Sequence, residues 1–562
     1  MTRAVSLLFI LLVGLGLYIV GFPSADVSRP ADTIVVNGRI YTVDPGRPQA
    51  EGLAIRGGRL IAVGSGAEVM AYRGPGTEVL DVGGRAVIPG LHDAHGHFTG
   101  LGASLQQLDL RDIASEAALA DLVGQRAAET PAGTWITGRG WDQNLWPGAA
   151  WPTAATLDVA APDHPVYLTR VDGHAVVVNT AALHMAQIDA ETADPPGGSI
   201  IRDDQGQPAG VLVDTAMSLV SRHLPSAGPD TVGERIALAD ATCARLGITT
   251  VHDAGVPLSV ARTYRTLVDE GRLATRLYVM LAAPARDDPP LPPRLIGYGN
   301  QQLTIRAVKL VADGALGSRG AWLLEPYADE PESTGLAVTD PDELYRQTLS
   351  VARAGYQPCI HAIGDAANRH VLDVFERVQR EVPGSRALRM RNEHAQILHP
   401  DDIPRFVALG VIASVQATHA TSDMAWVPSR IGDGRTRAGA YVWRSLLDAG
   451  ARLANGSDFP VEDANPMRGF HAAITRQDAR GAPPDGWMPE QRLTRSEALR
   501  TFTLDAAYAA HLEHDLGSLR PGKLADLVVL SHDIMDVAPA DILQTTVVLT
   551  MVGGRIVHRD GL

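Results

Sequence analysis

The chain has 562 residues, a formal net charge of -15 and a hydrophobic fraction of 45%. This length and composition suffice for a sizeable buried core, and the negative charge argues against a nucleic-acid partner, so we expect a neutral or cationic small-molecule substrate. The two cysteines, Cys243 and Cys359, lie far apart and have no metal-type spacing, so neither a disulfide framework nor a thiolate zinc site is indicated.

An apolar run from Ala4 to Phe22 follows Arg3. The run is long enough to span a bilayer, and the proline two positions before Ala25 suits a signal cleavage site poorly. We expect residues 1–25 to be an export signal or a membrane anchor, and we favour the anchor. Both possibilities place the catalytic part outside the cytoplasm, either membrane-anchored or in a periplasmic or extracellular space.

Short apolar strands separated by turn residues occupy residues 31–87 and recur over residues 515–562. Asn37-Gly38 and Gly57-Gly58 predict hairpins in the first stretch, and Gly553-Gly554 predicts a turn in the second. Each end of the chain is too small to bury a core alone. We therefore predict that the two ends pair into one small β-sandwich.

Between these ends, over residues 88–510, helical stretches alternate with apolar strands. Four of the helical stretches stop at a glycine, which ends a helix by adopting the left-handed conformation. Repeated units of this kind imply a parallel sheet. The four stretches are Thr231 to Leu246, Asp342 to Ala354, Asp402 to Leu409 and Tyr441 to Ala449.

Eight candidate strands suit a closed (β/α)₈ barrel of the TIM type, whose active site lies at the C-terminal ends of the strands. We expect an α/β protein built on this barrel. The predicted strands are Ala86 to Leu91, Ile248 to His252, Leu277 to Leu281, Ile305 to Val311, Gln357 to His361, Met390 to His394, Val411 to Gln416 and Arg452 to Ala454.

An insertion that spans about residues 108–230 separates the first predicted barrel strand from the second. Trp141 and His174 lie in this stretch, near other aromatic and acidic residues. The insertion can form a wall or lid over the barrel mouth, so both residues are candidates for substrate contact. The alternative is that they belong to the core of the insertion.

Histidines and one aspartate occupy the predicted strand ends. In His95-Gly96-His97, side chains two residues apart on an extended strand point to the same face, so both imidazoles can bind one metal. The other strand ends carry His361, His394 and, just past the last strand, Asp458. Because a barrel brings these ends to one mouth, we predict a metal site with nitrogen and oxygen ligands.

Lys309 lies on the face of the fourth strand that we assign to the barrel interior. A buried ammonium is costly and would be repelled by metal cations. A carbamate formed with carbon dioxide would instead offer a carboxylate able to bridge two divalent ions. The alternative is a neutral lysine that serves as a base or a Schiff-base nucleophile.

Together these motifs resemble the amidohydrolase superfamily, and within it the YtcJ-like branch that includes N-substituted formamide deformylases. The resemblance covers nearly everything after the N-terminal segment. The matching motifs are Pro89 to His97, Lys309 with Ala312 to Ser318, His361 to Asp365, Asn392-Glu393-His394, and Gly456 to Pro460.

The resemblance implies that His95, His97 and Asp458 bind one metal ion and that His361 and His394 bind another. Lys309, carbamylated, would bridge the two ions. Nitrogen and oxygen ligands suit Zn²⁺, and Mn²⁺ or Fe²⁺ also fit.

We expect a hydrolase that cleaves a non-peptide C–N bond, in an amide or an N-formyl or N-acyl amine, by metal-activated hydroxide. Asp458 would act as the general base and then as the general acid. An esterase or lactonase using the same site is the main alternative. A non-catalytic binding or regulatory protein would lack ligands, and none is missing. A membrane transport component would need more than one apolar span.

Overall fold

The computed structural model describes residues 29–111, 113–225, 228–285 and 290–562. The predicted export or anchoring segment, residues 1–25, lies outside the described residues and stays a prediction. Among the helices that are described, none combines the length and the apolar character needed to cross a bilayer.

The N-terminal part contributes seven strands to two facing sheets. β5, β4, β1 and β6 form the first sheet, and β2, β3 and β7 belong to the second. The elements are β1 (Thr33–Val36), β2 (Arg39–Tyr41), β3 (Gln49–Ala50), β4 (Gly52–Arg56), β5 (Arg59–Gly64), α1 (Gly66–Met70), β6 (Glu78–Asp81) and β7 (Ala86–Pro89).

One of the two hairpins predicted in this part is present. Gly57-Gly58 joins the antiparallel strands β4 and β5, which confirms that prediction. The hairpin predicted at Asn37-Gly38 is wrong, because β1 and β2 lie in different sheets. Asn37, with φ of 56°, turns the chain from one sheet into the other.

The predicted first barrel strand, Ala86 to Leu91, is divided at Pro89-Gly90. β7 pairs with β2 in the sandwich, and the first barrel strand is β8 (Leu91–Gly96), followed by α2 (Phe98–Ser104). A Cβ at residue 90 would lie 2.3 Å from Thr249 Oγ1, so glycine allows the backbone to pass closely between sandwich and barrel.

The insertion forms a six-stranded sheet in the order β13-β14-β12-β11-β10-β9, with an apolar cluster on each face. Its elements are β9 (Leu108–Asp109), α3 (Glu116–Glu129), β10 (Ile136–Trp141), α4 (Ala154–Ala160), β11 (Val166–Arg170), β12 (Ala175–Val178), α5 (Thr180–Met185), β13 (Gly198–Arg202), β14 (Pro208–Asp214) and α6 (Ser218–Ser221).

The remaining barrel elements alternate between helix and strand. They are α7 (Pro229–Arg245), β15 (Ile248–Val256), α8 (Leu258–Asp269), β16 (Arg276–Ala282), β17 (Leu295–Gly297), α9 (Tyr298–Gln301), β18 (Leu303–Val311), α10 (Pro341–Arg353), β19 (Gln357–Ala362), α11 (Asp365–Glu381), β20 (Arg391–His394), α12 (Ile403–Leu409), β21 (Ile412–Gln416), α13 (Ala417–Asp423), α14 (Val427–Gly439), α15 (Trp443–Asp448), β22 (Arg452–Gly456), α16 (Pro466–Thr475), α17 (Arg495–Thr501) and α18 (Leu504–Ala509).

Eight parallel strands follow one another in the order β22-β21-β20-β19-β18-β16-β15-β8, which confirms the (β/α)₈ architecture. The glycines predicted to end four of the helices adopt the left-handed conformation. Their φ angles are 77° at Gly247, 74° at Gly355, 65° at Gly410 and 95° at Gly450.

Hydrogen bonds join the first barrel strand to the last. The Asp93 carboxylate accepts a hydrogen bond from Ser457 Oγ at 2.6 Å, and Asp458 N donates to the carbonyl oxygen of His95 at 2.6 Å. Past the strand ends, His97 N donates to the carbonyl oxygen of Phe459 at 2.8 Å. These contacts place the C-terminal ends of β8 and β22 side by side.

The C-terminal part completes the second sandwich sheet with β23 (Leu527–Leu530), α19 (Pro539–Ile542), β24 (Val547–Val552) and β25 (Arg555–Arg559). The sheet order is β25-β24-β23-β7-β2-β3, so both chain ends share one sheet, as predicted. Gly553-Gly554 forms the predicted turn between β24 and β25. Apolar residues of both ends, including Leu53 and Leu527, pack in one core.

A buried ion pair ties the sandwich to the barrel. Arg276, at the start of β16, donates from Nε and Nη2 to the two carboxylate oxygens of Asp526 at 2.7 and 2.9 Å. The two side chains are only 3% and 4% exposed. Removing one member of such a pair leaves the other charge buried without its partner.

We expect Arg276→Met to lower the free energy of unfolding by about 3–5 kcal/mol, the usual cost of breaking a buried pair. Urea denaturation followed by tryptophan fluorescence measures the change. Arg272→Met is the control, because Arg272 pairs with Glu270 on the surface, and it should change stability by no more than about 0.5 kcal/mol. Equal effects of the two substitutions would contradict this role of the buried pair.

Candidate metal centre

The six predicted ligands meet at the C-terminal mouth of the barrel. The imidazole rings of His95 and His394 lie 4.9 Å apart between centroids, and those of His361 and His394 lie 4.5 Å apart. The elements that carry the six residues are β8 for His95, the residue before α2 for His97, β18 for Lys309, β19 for His361, β20 for His394 and the segment after β22 for Asp458.

His95, His97 and Asp458 form the first ligand group, with their donor atoms within 4.8 Å of one another. Asp458 Oδ1 lies 3.0 Å from His97 Nε2 and 3.7 Å from His95 Nε2. His97 lies just past the strand rather than on it, and its Nδ1 contacts the carbonyl oxygen of Ala254 at 3.0 Å. That contact orients Nε2 of His97 toward the group.

His361 and His394 form the second group. Nε2 of His361 is buried and has no hydrogen-bond partner among the described residues. Nδ1 of His394 lies 2.9 Å from Oε1 of Gln416, which leaves its Nε2 available. An orphaned, buried imidazole nitrogen is costly in a folded protein unless a ligand satisfies it.

Backbone geometry at two of these positions is strained. His394 has φ of 76° and Asp458 has φ of 60°, both in the left-handed region that side chains other than glycine rarely adopt. Residues held in such conformations cluster at functional sites, where the surrounding structure enforces them.

The protonation states fit a metal. Burial lowers the pKa of His95 to about 4, and burial also holds the pKa of His361 and His394 well below the ordinary value, so the rings are neutral. Burial alone would raise the pKa of Asp458, but the hydrogen bond from His97 and the other histidines around the carboxylate hold it well below normal. Neutral imidazoles and an ionised carboxylate are the forms that bind metal ions.

Lys309 contacts the first ligand group through His95. Its Nζ is 2.7 Å from His95 Nε2, and the side chain is buried. Burial lowers the pKa of Lys309, whereas the carboxylates of Glu393 and Asp458 raise it. The amine therefore contacts the first ligand group directly and interacts electrostatically with His361 and His394 of the second.

A buried charge network stands behind His95. Nδ1 of His95 lies 2.6 Å from Oε2 of Glu393. The same oxygen accepts a hydrogen bond from Nη2 of Arg391 at 3.0 Å, and the two side chains form an ion pair with Nε of Arg391 2.7 Å from Oε1 of Glu393. Arg391 also donates to the carbonyl oxygen of Ala94 at 2.6 Å. A carboxylate behind a ligating histidine fixes the ring and its tautomer. The sequence places Glu393 beside His394, yet its partner is His95.

The residues at the end of the second barrel strand have structural partners. Nδ1 of His252 lies 3.0 Å from Nη1 of Arg391. Asp253 accepts hydrogen bonds from the backbone N of Phe98 at 2.8 Å and from the hydroxyl of Tyr264 at 2.6 Å. Both residues therefore support the site from behind instead of lining it.

His419, in α13, is a site residue that the sequence analysis missed. It lies with His394 and Asp458 in a second possible ligand group. Its Nε2 is buried without a hydrogen-bond partner among the described residues, 3.8 Å from Asp458 Oδ2. Its position in the sequence could have indicated this role, because His419 lies three residues after the predicted seventh strand. No candidate site residue was assigned to the end of that strand.

The insertion brings His174 to the mouth. Its ring centroid lies 5.3 Å from that of His361, and its Nδ1 lies 2.6 Å from Oδ1 of Asp214. Burial lowers the pKa of His174, but the carboxylates of Asp214 and Asp172 outweigh burial and raise it to about 9. The side chain is 22% exposed, so one edge remains accessible.

The structure does not bring Trp141 to the histidines. Its side chain is 0% exposed, and its indole Nε1 donates to the carbonyl oxygen of Leu168 at 2.8 Å. The ring packs against Trp146 and Trp151 in an apolar cluster of the insertion. Trp141 therefore lies in the core of the insertion, which was the alternative to substrate contact.

Comparison with known proteins places the chain in a family. Residues 78–558 match the model described as "Amidohydrolase family". "Protein LONG AFTER FAR-RED 3" of Arabidopsis thaliana is 36% identical, over 93% of this chain and 91% of that protein. "Putative amidohydrolase YtcJ" of Bacillus subtilis is 31% identical, over 93% and 98%. "N-substituted formamide deformylase" of Arthrobacter pascens is 28% identical, over 94% and 98%.

A solved structure supports the same assignment. The "uncharacterized metal-dependent hydrolase" from Pyrococcus horikoshii OT3 superimposes with a TM-score of 0.71 at 28% identity, over 90% of this chain and 99% of that one. The family model, the relatives and this structure each extend over most of the chain. The chain therefore belongs to the amidohydrolase family and is a metal-dependent hydrolase.

Proposed function

We propose that the chain hydrolyses the amide bond of N-formyl or N-acyl amines in a site with two divalent metal ions. The observation that carries the proposal is the position of Asp458. Its Oδ1 faces His97 and His95, and its Oδ2 faces His419, at the meeting point of both ligand groups. The similarity to a formamide deformylase supports a non-peptide C–N bond as the one that is cleaved.

Each metal position has its own residues. His95, His97 and Asp458 would hold one ion, and His361 and His394 the other. Imidazole nitrogen and carboxylate oxygen suit Zn²⁺, which is the ion we propose. When bound, the ions would supply Lewis acidity toward the substrate carbonyl and lower the pKa of a water molecule toward about 7.

Lys309, carbamylated on Nζ, would bridge the two positions. The chain contains only two lysines, Lys309 and Lys523, and uses arginine at its other basic positions. A guanidinium stays protonated, whereas a buried amine with a lowered pKa can be neutral and react with carbon dioxide. The resulting carbamate is an anion, which removes the repulsion between a buried ammonium and metal cations.

Asp458 moves the proton. Its carboxylate accepts a proton from the attacking water at Oδ2 as the new C–O bond forms. It returns that proton to the amide nitrogen as the C–N bond breaks, so that the products are a carboxylic acid and an amine. Glu393 and Arg391 hold His95 in place during this exchange, since both are enclosed behind the ring.

Asp458→Asn should lower kcat for an N-formyl amine by about a hundredfold or more, the usual effect of losing a general base. The amide retains an oxygen ligand, so most of the metal should remain bound. Steady-state kinetics with elemental analysis measures both quantities. Asp448→Asn, a change of an exposed residue in α15, is the control and should behave as wild type. Near-normal turnover of Asp458→Asn would contradict the proposed proton transfer.

Amide and ester substrates with the same acyl group separate the proposal from its alternative. We expect the metal-loaded enzyme to turn over the N-formyl or N-acyl amine with the higher kcat/KM. A clear preference for the ester or lactone would instead assign the site to C–O bond cleavage, because carbonyl polarisation does not itself distinguish the leaving atom.

Lys309→Ala should lose activity and should regain part of it when a small carboxylic acid such as propionate is added, because the acid can occupy the vacated space and replace the carbamate. Activity measured against the concentration of added acid tests this. Lys309→Met fills the same space with an apolar chain and should not be rescued. Equal responses of the two variants, or wild-type activity of Lys309→Ala, would refute the bridging role.

A further inference from the structure

Arg139, in β10 of the insertion, is a cation without an ion-pair partner at the mouth of the site. Its Nη2 donates to the carbonyl oxygen of Val171 at 3.0 Å. Its Nε is buried and has no acceptor, and no carboxylate lies within ion-pair distance of the guanidinium anywhere in the described ranges. A half-buried guanidinium with unused donors is costly unless a ligand accepts from it.

The turn before β12 holds this guanidinium close to the metal centre. A Cβ on Gly173 would lie 2.9 Å from Arg139 Nη2, and Gly173 has φ of 77°, so only glycine leaves this room. The next residue is His174, whose ring lies 5.3 Å from that of His361. Arg139 is also near enough to Asp458 for their charges to interact: burial lowers the pKa of Arg139 and Asp458 raises it.

The neighbouring arginines differ from Arg139 because each already has a carboxylate. Arg170 is fully buried and bonds to Asp142 and, at 2.5 Å, to Asp172. Arg430, in α14, is paired with Asp329. Asp142, Asp172 and Asp329 are therefore paired with Arg170 or Arg430, whereas Arg139 has no carboxylate within ion-pair distance among the described residues.

We propose that Arg139 binds a carboxylate of the substrate, so that the preferred substrates are N-formyl or N-acyl amino acids. The inference rests on the proposed function, because it names the substrate class of the same site. A guanidinium presents paired donors that match a carboxylate, and partial burial strengthens the contact. The net charge of -15 favours a neutral or cationic substrate, but local charge at the mouth decides which substrate binds.

Matched pairs of ligands test the inference. N-formyl-leucine and N-formyl-3-methylbutylamine differ only in the carboxylate, and N-acetyl-phenylalanine and N-acetyl-phenethylamine form a second pair. We expect the wild-type enzyme to have a kcat/KM about ten- to a hundredfold higher for the acid of the preferred pair, which corresponds to one hydrogen-bonded charge contact.

Arg139→Met removes the charge and the hydrogen-bond donors and keeps an unbranched apolar stem. It should abolish the preference by raising KM for the acid, with kcat and the turnover of the amine nearly unchanged, since an anchoring contact serves substrate and transition state equally. Arg139→Lys should retain part of the preference. Arg222→Met, at an exposed position of the same insertion, is the control. Thermal unfolding checks that each variant is folded.

Equilibrium binding separates this inference from the proposed function. In the Asp458→Asn background, calorimetry should show the acid binding at least about tenfold more tightly than the amine, and adding Arg139→Met should remove the difference. This binding result, together with no turnover of either ligand by the metal-loaded wild-type enzyme, would refute the proposed function and retain the carboxylate site. Equal binding of acid and amine, or a preference that survives Arg139→Met, would overturn the inference even if both ligands are hydrolysed.

Discussion

The contact between the first and last barrel strands is the constraint on which the site depends. Asp93 accepts from Ser457, and Asp458 N donates to the carbonyl oxygen of His95. A Cβ at residue 456 would lie 2.5 Å from His95 N, so the glycine there permits this close approach. Because the contact joins β8 to β22, it places Asp458 beside the two histidines that are more than 350 residues earlier in the chain.

Buried charge supports this arrangement from behind. Arg391 reaches Glu393, Ala94 and Ser414 at once, and Glu393 in turn holds His95. Burial of an ion pair is justified energetically only when hydrogen bonds satisfy its remaining donors and acceptors. Here hydrogen bonds satisfy both Nη atoms of Arg391 and Oε2 of Glu393, and the bond to Oε2 orients a ligand ring. The insertion adds its groups from the other side, through His174 and Arg139.

Much of this could be predicted from the sequence. The predicted ligands lie at or just past the ends of predicted strands, and parallel strands bring their C-terminal ends together, so position alone predicts that His361, His394 and Asp458 share one mouth. The glycines that end four of the helices indicated the repeated helix–strand units of the barrel. The motifs that resemble the superfamily then gave each ligand a role.

Other features depend on tertiary contacts that local patterns do not carry. Asn37-Gly38 has the composition of a hairpin, but each flanking strand finds its partners in a different sheet. Ala86 to Leu91 contains Pro89-Gly90, a dipeptide that can break a strand, but the apolar residues on both sides favour one continuous strand, and only the pairing of β7 and β8 shows that the dipeptide divides sandwich from barrel. His419 lies on a helix after its strand, and the partnership of His174 with Asp214 spans 40 residues.

The central claim is that residues from five barrel strands hold two divalent ions bridged by a modified Lys309. X-ray diffraction from crystals of the metal-loaded protein, recorded at the absorption edge of the metal, tests it most directly. The account predicts two anomalous peaks, one bonded to His95, His97 and Asp458 and one bonded to His361 and His394, with additional density on Lys309 Nζ reaching both. A single peak bonded to His394, His419 and Asp458, or an unmodified Lys309 beside two ions, would contradict it.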